Sequence, residues 1–213
     1  MAVFRVHISL GALLAAVGVV LLYVYAVVTD PWLLALLFAV TAVASFVPDL
    51  DIDTGIPFYL IYGLFTILSG AASLYYVLQH GPYLIYYIVG VPFAVMLFVW
   101  FIIGGVFRKF THHRGIMHSI PAMGVAALLS YLIAKHLEQG NMIATAFAAA
   151  AALGYFSHLA LDEIYAENAM GGNPFTHRKS LGTAMKFFSD SLWVTLLTYL
   201  LLFALIYIAV QYK

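Results

Sequence analysis

The chain contains no cysteine. This excludes disulfides, iron–sulfur clusters and thiolate zinc sites, and it leaves the redox compartment unread; any metal held here must take histidine and carboxylate ligands. Charge is scarce as well. Asp, Glu, Lys and Arg make up 8% of the 213 residues, about a third of what a soluble domain carries and too little to cover a water-facing surface. With 65% hydrophobic residues and a mean hydropathy of +1.02, the composition is that of a membrane protein with several spans. The formal net charge of zero says nothing of partners. No internal repeat stands out, and no stretch outside the apolar runs is long enough to fold alone. Arg5 before a long apolar run imitates a signal peptide, but the run, at about 21 residues, exceeds a signal-peptide core, so it reads as a first span that is kept.

What the sequence does have is apolar runs of membrane-crossing length, which for a helix is about 17–25 residues. Seven candidates can be drawn, at 8–28, 32–47, 56–78, 83–107, 119–135, 142–161 and 190–212. Polar punctuation separates them: Thr29-Asp30-Pro31, PDLDID at 48–53, Gln79-His80-Gly81-Pro82, RKFTHHRGIMH at 108–118, His136–Asn141 and the long segment 162–189. Proline lacks an amide hydrogen and restricts the residue before it, so Asp-Pro and Gly-Pro break helices. The second run is short and can also be read as a re-entrant or buried helix. The expected fold is therefore all-α, a polytopic membrane helix bundle of about seven spans forming one domain over 1–213. Segment 162–189 is its one sizeable piece outside the membrane.

Alternating spans put 1–7, 48–55, 108–118 and 162–189 on one side. That side holds Arg5, Arg108, Lys109, Arg114, Arg178, Lys179 and Lys186, seven of the nine basic residues, against Lys135 and Lys213 opposite. By the positive-inside rule it is cytoplasmic, which gives a multi-pass protein of the plasma membrane with a cytoplasmic N-terminus. His7, Asp49, Asp51, Asp53, His112, His113, His118, His158, Asp162 and His177 fall on the same side.

Ionisable residues near spans are costly and are functional candidates by default. Each has a plainer reading too. His7 can be an interfacial histidine, and Asp49 and Asp51 can be turn or cap residues. The basic residues of THHRGIMHS at 111–119 can be membrane anchors. His158 and Asp162, four apart in GYFSHLALDEIY, share a helix face and suit either metal ligation or a buried hydrogen-bonded pair. Four separate segments thus deliver imidazole or carboxylate to one membrane face, the set that binds zinc or a similar ion. Arg114 is placed to meet an anionic oxygen in bidentate fashion. Ser119, with Pro121 behind it, is expected to cap the fifth span and hold His118 just outside it.

His7, FVPDLD, HRGIMHS and GYFSHLALDEIY, in that order, resemble the family of membrane-bound metal-dependent hydrolases that includes LexA-regulated bacterial inner-membrane proteins. The family pattern is an N-terminal His, PDxD, HRGxxHS and a late HxxxD, and the tail NPFTHRKSLGTAMKFFSD is similar to archaeal members. The resemblance implies a distant relation to all-helical zinc-dependent phospholipase C and single-strand nucleases. It also implies a ligand set of His7, Asp49, Asp51, His113, His118, His158 and Asp162. Ile52-Asp53 stands where bacterial members often have a histidine, and there is one HxxxD pair, so one or two ions are expected rather than three. Zinc is the first choice and manganese the second.

The function expected is hydrolysis of a phosphoester in a lipid or lipid-linked head group by a metal-activated water at the cytoplasmic interface. Asp49 or Asp51 would bridge ions or act as base. Arg114, with His177, Arg178 and Lys179, would bind the phosphate. The partners are then the bilayer and the lipid substrate, with no nucleic acid. A divalent-cation transporter is the alternative, although transport sites lie near the midplane whereas these residues lie at span ends. A non-catalytic metal-binding scaffold is the third reading.

Overall fold

The computed structural model describes residues 4–51, 55–106, 115–168, 185–189 and 191–212. Among these residues there are seven α-helices and no strand. They are α1 (Phe4–Val24), α2 (Pro31–Ala44), α3 (Ile56–His80), α4 (Ile85–Leu97), α5 (Ile120–His136), α6 (Asn141–Asn168) and α7 (Leu192–Gln211). A 3-10 turn, Val47–Asp51, follows α2, and α4 runs on into a π-helical stretch, Phe98–Ile103. The protein is an all-α membrane protein, as expected. Lipid offers no partners to backbone amides, so a spanning segment must satisfy them within its own helix.

The punctuation read in the sequence acts as caps. Asp30 accepts hydrogen bonds at Oδ1 from the amides of Trp32 (2.8 Å) and Leu33 (2.9 Å), with Pro31 opening α2. Gly81 ends α3, its amide bonded to the Val77 carbonyl at 2.8 Å. Ser119 caps α5 through the Ala122 amide, as anticipated.

Helices occupy all seven expected positions, but only five of them, Phe4–Val24, Ile56–His80, Ile85–Val106, Asn141–Tyr165 and Leu192–Gln211, are long and apolar enough to cross a membrane. α2 has 14 residues and α5 has 17. At 1.5 Å per residue they reach about 21 and 26 Å, short of a hydrocarbon core of about 30 Å. Two boundaries also differ from expectation. α1 starts at Phe4 and includes His7, and α6 continues through Asp162 to Asn168, so segment 162–189 begins as helix. Hydropathy marks where apolar side chains stop. It does not mark where the helix stops when the next polar residue, Asp162, finds partners inside the protein.

The chain forms two compact units, residues 1–48 with 114–213, and residues 49–113. In the first, α6 packs on α1, α2 and α5, and α7 packs on α5. Within its apolar window α6 is 44% buried, against 11–17% for the other long helices, so it is the axis of this unit. Two glycines let the end of α2 approach closely. A Cβ on Gly154 of α6 would strike the Thr41 carbonyl and Ala44, and one on Gly11 of α1 would strike the Ser45 side chain. Small residues at such crossings are how membrane helices gain contact without a hydrophobic driving force. In the second unit α3 packs on α4, with Phe58 stacked on Tyr62 at 4.5 Å and Trp100 beside it.

Candidate metal centre

Four side chains of the first unit converge where α1 begins, α2 ends, α5 begins and α6 nears its end. His7 comes from the first described turn of α1 and His118 from the turn before α5. His158 and Asp162 lie one turn apart on α6. All four are buried, none more than 1% exposed. His7 Nε2 lies 3.3 Å from Asp162 Oδ1, and His118 Nε2 and His158 Nε2 lie 3.6 and 3.8 Å from Asp162 Oδ2. The Nε2 atoms of His118 and His158 are 3.3 Å apart. The rings of His7 and His158 are stacked, centroids 3.8 Å apart and planes within 16°.

These separations fit a metal. Two ligand atoms at 2.0–2.1 Å from one tetrahedral ion are about 3.3–3.4 Å apart. Two of the four contacts have that spacing, and the other two exceed it by a few tenths of an ångström. His7, His158 and Asp162 each offer a ligand atom within 4.8 Å of the others. His7 Nδ1, buried and without a hydrogen-bond partner among the described residues, is a cost an apolar interior tolerates poorly. Ligation through the other ring nitrogen gives that ring a reason to be there.

The surroundings aim the rings. His158 Nδ1 lies 2.9 Å from the Ser45 carbonyl oxygen. That bond requires the proton on Nδ1 and leaves the lone pair on Nε2, the arrangement a carbonyl imposes on a ligating histidine. Gly11 and Gly154 allow Ser45 to come close enough for it. His118 is set by a tight turn, its amide 3.3 Å from the Gly115 carbonyl. The Tyr155 hydroxyl donates to the Met117 carbonyl, and the Ser119 hydroxyl donates to that of Ile116. Behind the turn, the Ile120 amide donates to the Lys186 carbonyl at 3.0 Å.

Of the expected ligands, His7, His118, His158 and Asp162 are therefore together. Asp49 is buried in the 3-10 turn and is the first residue of the second unit, with which it is described; Asp51 closes the same turn. His113, Arg114, His177, Arg178 and Lys179 lie outside the described residues. Sequence reasoning missed Ser45, Tyr155 and the two glycines. Ser45 acts through its backbone, which leaves no mark on residue type. Tyr155 did carry a signal, being three residues before His158 in the same motif.

Fold and site together define an all-α integral membrane protein with a buried histidine–carboxylate cluster among its helix ends. The model of the YdjM inner membrane protein family matches residues 1–213. The chain belongs to that family and is a membrane protein. No curated protein and no solved structure matches it.

Proposed function

We propose that this protein is a membrane-embedded, metal-dependent hydrolase acting on a phosphoester in a lipid or lipid-linked head group. One observation carries the reading: three imidazole nitrogens, all buried and from three separate segments, lie 3.3–3.8 Å from the oxygens of one buried carboxylate, close to the spacing of ligands around an ion. A divalent ion bound there, zinc before manganese, would lower the pKa of a water toward 7 and polarise a phosphoryl oxygen. The chain's own residues do the rest. Asp162 supplies the negative charge, and its burial among three rings is tolerable when a cation shares the site. Ser45 orients His158, while the turn at 115–119 holds His118. From the sequence, Arg114, His177, Arg178 and Lys179 are the groups for phosphate oxygens, and Asp49 and Asp51 the acids for bridging a second ion or taking a proton.

The test is metal content of detergent-purified protein by mass spectrometry, for the native chain, His118→Ala and Asp162→Asn. About one or two zinc or manganese ions per native chain, lost in both variants while each stays folded, is the expected result; release of head group from mixed lipid vesicles by the native chain alone completes it. A native chain that stays metal-free after reconstitution with excess ion overturns the reading and leaves a proton-holding cluster. Loaded metal with no turnover on phosphoesters leaves the scaffold.

The side of the membrane is part of the proposal. Arg5 and Lys186 belong to segments at the site end of the first unit and Lys135 to the far end of α5, which favours a cytoplasmic site. Because the chain has no cysteine, a single cysteine placed at Arg5 or at Leu137 can be labelled from either face. Protection of Arg5→Cys from an impermeant outside reagent, with Leu137→Cys reactive, is expected; the reverse pattern inverts the assignment.

A further inference from the structure

The face of α6 that carries the ligands does not stop at them. Phe147, Ala151, Tyr155, His158 and Asp162 follow one another at spacings of four, four, three and four, which keeps a single stripe along the helix. It is apolar at one end and ligating at the other. Over the apolar half lies a groove. α2 and α5 both pack on α6, and between them two adjoining cavities of about 320 and 270 Å³ share Leu36, Val40 and Ser130. The near cavity reaches Ala44 and Val47, which bracket Ser45, the residue whose carbonyl holds His158; the far one ends at Leu137.

The dimensions suit one chain of a lipid. From Leu33 to Ala44 the groove follows α2 for about 16 Å and reaches Val47 beyond it, enough for the roughly 15 Å of hydrocarbon in one leaflet. Its depth comes from alanines on all three helices, Ala39, Ala126 and Ala151 among them. The cleft on the other side of α2 does not share the stripe. It lies over Ala146, Ala149, Ala150 and Leu153, and α1 and α2 pack on each other along it.

We propose that the α2–α5 groove holds one acyl chain of a membrane phospholipid and so presents its head group to the His/Asp cluster. The substrate class is then an intact two-part lipid rather than a soluble phosphoester. The assignment of substrate rests on the hydrolase reading; the acyl-chain site does not.

The experiment uses the full chain in nanodiscs containing a phospholipid with a photoactivatable diazirine near the end of one acyl chain. Labelled peptides are mapped by mass spectrometry, and metal content is measured on the same samples. Label concentrated at the far end of the groove, around Ile133, Leu137 and Phe147, above that on equally lipid-exposed α7, is the expected result. Ala126→Phe, which fills the near cavity and so blocks the way from the cluster to the far end, lowers that label about fivefold or more with metal content unchanged. Should that variant fail to fold, Ala39→Leu, on an exposed position of α2, makes the same test. Even labelling of all lipid-facing helices, or far-end label that survives a folded groove-filling variant, overturns the proposal. Concentrated, Ala126→Phe-sensitive label on a chain that binds no metal upholds the acyl site and overturns the hydrolase reading alone.

Discussion

The two units handle polarity in opposite ways. The first buries three imidazoles and a carboxylate in one place. The second has no Asp, Glu, Lys or Arg between residues 55 and 106, and one histidine, His80. Its interior is made of rings, Phe58 on Tyr62 with Trp100 alongside. Its two serines on α3 spend their hydroxyls on their own helix, Ser69 on the Phe65 carbonyl (2.7 Å) and Ser73 on that of Gly70 (2.8 Å). A buried charge at membrane depth costs several kcal/mol. A fold that meets this cost with four clustered groups in one unit, and over 55–106 of the other avoids it, is using the polar cluster for something other than stability.

The largest break in that contrast comes from taking the ion away. An ion that binds the folded state alone stabilises it by about 4 kcal/mol at a thousandfold excess over Kd. A chelator is therefore expected to lower the thermal midpoint of the native chain in detergent by many degrees, and to leave Asp162→Asn where it is. Equal response of both proteins would separate the cluster from metal.

The next effect separates the two units by backbone approach. Gly154→Ala drives a methyl into the Thr41 carbonyl and Ala44, an overpacking worth about 1–3 kcal/mol. Because it displaces Ser45 from His158, it is expected to weaken metal binding too. Gly63 of the second unit has nothing within 4 Å of an added Cβ, and Gly63→Ala is expected to be neutral or slightly stabilising by helix propensity. Matched thermal and metal measurements on the two variants decide it. A smaller effect is expected of Tyr155→Phe, about 1 kcal/mol for the lost bond to Met117, with metal affinity lower by about tenfold as for other groups that aim a ligand. Unchanged affinity would make Tyr155 a packing residue only.

These particulars also show what could be read from the sequence. The seven helices were legible because lipid makes an apolar run and a helix nearly the same statement. His158 and Asp162 were legible because a helix puts i and i+4 on one face. His7 and His118 were brought to one membrane face by the alternation of spans and into one ligand set by the family pattern, since nothing local joins residue 7 to residue 118. The continuation of α6 past Asp162 was illegible because hydropathy falls there for a reason that only tertiary contacts supply. Ser45 was illegible because a carbonyl has no residue type. The groove was illegible because it is a gap between α2 and α5, and a gap between helices has no sequence pattern of its own.

The smallest expected effect tests the second unit on its own terms. Thr66 of α3 is buried, 7% exposed, and its hydroxyl has no hydrogen-bond partner among the described residues. Thr66→Val keeps the shape and β-branching while removing an oxygen that the apolar surroundings do not satisfy. Replacing an unsatisfied polar atom by an apolar group of the same shape is neutral to stabilising, here by about 0.5 kcal/mol given the low worth of single polar groups in membrane interiors. The thermal midpoint should rise slightly and the metal content should stay as in the native chain. A fall in midpoint would mean that the hydroxyl has a partner, and that the second unit contains a polar arrangement which, unlike that of the first, its sequence does not advertise.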